Sequence, residues 1–156
     1  MNREDMDVLL DRSYRYEGLD HGAEADYCSA QLAELYKGCG PDRWPEFAAH
    51  AIGKCGELFE PALLVYDADF RKSDGTVQGL HQATQRFKRN VMVIFHRDFP
   101  WFSFLMFLPS HRKRRHEIEV AVKAMFVAVS DGYVRRAWEA EAFQNGCHEK
   151  ARIKAM

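Results

Sequence analysis

Between Val77 and His96, apolar residues recur at Leu80, Ala83, Phe87, Val91 and Ile94, the three-to-four spacing that closes one face of an α-helix. No parallel-sheet alternation competes with it, and Ser73-Asp74-Gly75-Thr76 supplies a turn with cap residues just ahead of it. The same logic predicts helices over Arg3–Tyr16, with Met6, Leu9, Leu10 and Tyr14 near helical spacing, and over Ala23–Lys37, closed by Gly38. Pro45 suits the first turn of a helix reaching Cys55. The run Pro61–Phe70 reads as helix, with a strand left open because it is short. A last helix spans Ser110–Phe143, bent near Asp131-Gly132 and ended by Gln144-Asn145-Gly146, with a frayed basic tail over 146–156. The expectation is an all-α, single-domain bundle of five or six helices covering 1–156.

Hydrophobic residues at 47% and charged residues at 29% fit a chain that folds alone around one core, with rings supplying much of the buried area (11 Phe, 6 Tyr, 3 Trp). No run of about 18 apolar residues is present, so no transmembrane segment is expected. The first fifteen residues carry Glu4, Asp5, Asp7 and Asp11 in place of an apolar leader, and the expected location is cytoplasmic. Cys28, Cys39, Cys55 and Cys147 form no CxxC pair and are expected as reduced thiols, a Cys39–Cys55 bridge being the exception to check.

Charge is unevenly placed. Residues 1–76 hold 16 acids and 8 bases, a balance of −8, and residues 77–156 hold 7 acids and 14 bases, a balance of +7. Either the two halves neutralise each other inside one fold, or a basic face meets an anionic partner.

The most unusual stretch is Phe99 to Pro109, apolar and aromatic, followed at once by His111-Arg112-Lys113-Arg114-Arg115-His116. One reading makes the run a core helix and the cations a solvated turn. The other makes Trp101, Phe102 and Phe104 with Arg112, Lys113, Arg114 and Arg115 a binding surface for a protein partner, for a second copy, or for a membrane. Nucleic acid is a weaker candidate, since Arg86, Lys88, Arg89 and Arg97 could extend the cations but no DNA-binding module is present and the pI is near 6.7.

For chemistry, the best candidates are Asp67 (or Asp69) and His81, brought near each other if two antiparallel helices flank the 73–76 turn. A carboxylate that orients an imidazole is the minimal general-base pair. The alternative is an Asp that caps or pairs a helix and a His at the surface. The seven histidines (21, 50, 81, 96, 111, 116, 148) show no metal-ligand spacing, and no Gly-x-Ser-x-Gly, phosphate loop or dinucleotide fingerprint occurs.

Gly38-Cys39-Gly40-Pro41, a following helix, and then Tyr66-Asp67-x-x-Phe70 ahead of a long helix together resemble the phospholipase A2-like helical family, particularly its small phage and bacterial members. That resemblance implies a loop that offers carbonyls to calcium, a His-Asp pair that activates water, and a phage or prophage setting. This chain departs at the decisive position, where Tyr66 replaces the histidine and a phenol is a poor base at neutral pH. The resemblance then implies a fold kept without esterase chemistry. The leading expectation is a non-enzymatic interaction protein without a cofactor. A calcium-dependent hydrolase and an anionic-surface binder are the alternatives.

Overall fold

The computed structural model describes residues 2–36, 46–100 and 107–154, apart from the side chains of 47, 54, 133 and 147–154. The fold is all-α. Among the described residues there are seven α-helices: α1 (Arg3–Tyr14), α2 (Ser29–Leu35), α3 (Glu46–Ile52), α4 (Glu60–Arg71), α5 (Val77–Asp98), α6 (Pro109–Ala128) and α7 (Gly132–Lys154). Short 3-10 helices over Gly22–Asp26 and Gly53–Phe59 join them.

Helix α4 is the hub. Pro61 sits in its first turn, where its missing N–H costs nothing, and Pro61, Ala62, Leu63, Leu64, Val65, Tyr66, Ala68 and Asp69 are all buried. Helices α1, α2, α5 and α7 and both 3-10 helices pack around it, while α3 lies against α6. The run 61–70 is therefore a helix, not a strand, and all of it but Asp67 and Phe70 is buried. This is the place the sequence reading offered to 99–109, whose Trp101, Phe102 and Phe104 lie outside the described residues.

Local chemistry sets the element ends. Asn2 Oδ1 accepts from the N–H of Asp5 at 2.8 Å and caps α1. Ahead of α5, Asp74 Oδ1 accepts from the N–H of Thr76 and Thr76 Oγ1 accepts from the N–H of Gly79, both at 2.9 Å. Gly75 between them has φ +72°, and a Cβ there would come within 2.9 Å of the Ala142 Cβ, so the turn requires glycine twice over.

Two boundaries differ from expectation. The predicted 23–37 helix is two pieces, because Tyr27 is extended and Cys28 restarts the chain as the N-cap of α2, its N–H donating to Gln31 Oε1. The predicted final helix breaks at 129–131 and then continues past Gly146 to Lys154. Asn145 does not stop it: its side chain leaves the helix and donates to the Arg71 carbonyl at 2.8 Å.

Leu64 is 0% exposed in the hub, and Leu64→Ala is expected to cost about 2–5 kcal/mol of stability in urea melts. Val77→Ala, at a position 60% exposed, should shift the same melt little. Equal effects would mean that α4 is not the hub.

Candidate functional site

Helix α6 opens on Pro109 with no acid in its first turn, and its N-cap, Leu108, contributes no side-chain hydrogen bond. Phe107 is 73% exposed and Leu108 48%, so the described end of the apolar run faces outward. Arg112, Lys113 and Arg114 follow, all exposed. Cations at a helix start oppose the macrodipole, so α6 does not gain stability from this placement.

Arg115 differs from its neighbours. Its guanidinium lies 4.9 Å over the Phe95 ring, donates to the Phe99 carbonyl, and reaches Glu119 Oε1 at 3.1 Å. It ties the end of α5 to the start of α6. Arg97 is spent in the same way, donating to the Arg15 carbonyl with its guanidinium 5.1 Å from the Tyr16 ring centre.

Beside Arg114 lies a cleft of about 370 Å³ that also reaches Arg12, Cys55 and Glu117. Arg12 donates to the carbonyls of Glu57 (3.3 Å) and Leu58 (3.0 Å), satisfying the end of the 3-10 helix. The Cys55 thiol is free. Burial first, and Glu117 second, push its pKa up, against the pull of Arg114. A thiol held protonated is a poor nucleophile.

The predicted acid–base pair falls on α4 and α5, where Asp67 is half-buried and His81 is exposed. Tyr66 stands in the core, its ring 4.9 Å from Phe87 and 5.1 Å from Phe70, so its role there is packing. Gly38, Cys39, Gly40 and Pro41 lie outside the described residues. Among the described residues no cluster of three or more His, Cys, Asp or Glu side chains is placed to hold a metal. Asp67 alone does not fit calcium, which takes about six to eight oxygens.

The strongest charge cluster was not visible in the sequence. Asp69, two residues from Asp67 and on another face of α4, is 6% exposed and meets Arg86 at 2.6 Å. Its other oxygen accepts from the N–H of Ala23 at 3.1 Å. Arg86 also lies 3.2 Å from Asp20, whose backbone is held on both sides by the Asn90 side chain, at 2.9 and 2.8 Å. Gly22, at φ +50°, is packed so tightly on Arg86 that a Cβ would sit 2.7 Å from its guanidinium. Burial alone would lower the Arg86 pKa, but Asp69 and Asp20 outweigh it and raise the value.

Next to this cluster, the Glu24 side chain has no solvent exposure. Oε2 meets His21 Nδ1 at 3.1 Å, and Oε1 has no partner among the described residues. The His21 ring stacks on Tyr14 at 4.3 Å. Burial raises the Glu24 pKa, and His21 opposes this without cancelling it. The one carboxylate–imidazole contact among the described salt bridges is therefore Glu24–His21.

Comparison with protein-family models, curated proteins and solved structures finds no match to this chain.

A carboxyl whose folded pKa lies above its unfolded value binds more protons when folded than when unfolded. The stability Glu24 contributes is therefore complete below the ordinary carboxylate pKa and is lost as pH rises through the raised value. Glu24→Gln should raise the melting temperature at neutral pH and flatten its fall above the carboxylate range, read by thermal melts across pH. A destabilised Glu24→Gln at neutral pH would show the ionised pair to be the favoured state. Asp69→Asn, which keeps an acceptor for Ala23 but loses the ion pair, should cost about 1–3 kcal/mol in urea melts.

Proposed function

We propose that this chain is a non-enzymatic interaction protein that engages a protein partner, or a second copy of itself, through the shoulder at the head of α6. The observation that carries this reading is the exposure of Phe107 and Leu108 directly before the exposed cations Arg112, Lys113 and Arg114. Fully covering a Phe or Leu side chain is worth about 1.5–3 kcal/mol, so two at one place can anchor a complex. Neighbouring arginines add hydrogen-bond forks and steer the encounter.

The interior supports the non-enzymatic half of the reading. Asp69 is occupied by Arg86 and Ala23, Glu24 is enclosed with His21, and the Cys55 thiol is held protonated. These polar groups suit acid–base or nucleophilic work, and the fold already uses or encloses them.

Phe107→Ser combined with Leu108→Ser changes two outward side chains, so the thermal melt should stay unchanged. Association should be lost, measured by light scattering over a concentration series for self-assembly and by pull-down for another protein. Association that survives both substitutions overturns the reading.

A further inference from the structure

Along α6, Lys113, His116, Val120, Lys123 and Val127 follow a three-four-three-four spacing and form one outward line. All five are exposed, the valines by 40% and 59%, while Ile118, Ala121, Val122 and Met125 hold the opposite face in the core. This line is basic with apolar points. Along α1, Glu4, Asp7, Val8 and Asp11 form a second outward line, Val8 being 70% exposed and Met6, Leu9 and Ser13 facing inward. That line is acidic with an apolar point.

We propose that these two lines are the halves of one contact, in which a second copy of this chain lays its α1 along the outward face of α6. The proposal rests on the interaction reading above and names its partner. Charge complementarity selects the occupant. Among the described residues Glu4, Asp7, Lys113 and Lys123 make no ion pair within the molecule, and Asp11 has only an exposed one, to Arg15.

The lengths agree as well. At about 1.5 Å per residue, the 12 residues of α1 fit within the span of the 20 residues of α6. Val8 then covers a valine of α6 while carboxylates and ammonium groups flank it, the arrangement that sets partner choice in paired helices. Each molecule offers both lines, so the contact either closes reciprocally as a two-fold dimer or runs on from molecule to molecule as a ring or an open chain. One helix pair is a small interface, so assembly is concentration-dependent, and exposed ion pairs make it weaken with salt.

The test uses two charge-reversed variants of the full chain, one carrying Asp7→Lys with Asp11→Lys and the other Lys113→Glu with Lys123→Glu. Circular dichroism melts matching wild type establish that both fold, as the exposed positions lead us to expect. By sedimentation at low salt, wild type should grow in mass with concentration and each variant alone should stay monomeric. The equimolar mixture should regain assembly, because the wild-type contact and its charge-swapped counterpart are both attractive between unlike variants. Wild type that is monomeric at every concentration, variants that assemble as wild type does, or a mixture that stays monomeric overturns the proposal.

The shoulder is judged separately, with polyglutamate and with phosphatidylcholine vesicles containing phosphatidylserine as probes. Binding of either that Phe107→Ser with Leu108→Ser abolishes keeps the shoulder as an interaction surface and assigns it an occupant other than α1. Neither assembly nor binding of either probe overturns both.

Discussion

Asp69 is buried near the end of the most enclosed helix of the fold, and a carboxylate in that position has to be answered from within the protein. Arg86 answers it from α5 and the Ala23 N–H answers it from the 20–26 segment. Asp69 therefore fixes where two pieces of chain meet the hub. Arg86 then reaches Asp20, Asn90 grips the Asp20 backbone from the next turn of α5, and Gly22 leaves the room Arg86 needs. Taking such charges out of water costs several kcal/mol, so the pair is better understood as choosing one arrangement of the helices than as the main source of stability. The stability comes from the aliphatic and aromatic side chains that close over α4.

This division explains what the sequence disclosed. Helix α5 was legible because Leu80, Ala83, Phe87, Val91 and Ile94 repeat at helical spacing, and the 73–76 turn because Gly75 and Thr76 are local signals. The break at Tyr27–Cys28 was not legible, since Ala25, Cys28, Leu32 and Leu35 keep an apolar line across it. The sequence did not single out α4 as the hub, because an apolar run shows only that a segment avoids water, and both 61–70 and 99–109 satisfy that. Asp67 and Asp69 look alike in a string of letters. They differ only in the side of α4 they occupy, and the partners of Asp69 lie 17 and 46 residues away. Glu24 carried no signal either, because a glutamate near a turn is ordinarily solvated.

The cations were over-counted for a related reason. Eight basic residues between 86 and 115 suggested one continuous stripe, but the fold consumes part of it. Arg86 is the counter-ion of Asp69, Arg97 holds the Arg15 carbonyl, and Arg115 holds the Phe99 carbonyl over the Phe95 ring. After these are subtracted, the outward charge includes Arg89 on α5, Lys113 and Arg114 at the head of α6, and Lys123 further along it. The relevant quantity for a partner is this remainder, not the composition.

The excess of acids in the first half of the chain and of bases in the second is only partly cancelled within the molecule. Arg86 with Asp69 and Asp20, Lys72 with Asp26, and Arg71 with Glu141 draw opposite charges together around α4. The outward faces of α1 and α6 take no part in this, although both helices bury their other faces in the same core. Solubility alone would be served by mixing the signs on each face. Segregation on two helices that each also expose valine is a different solution, and it leaves a surface whose best complement is encoded in the same chain.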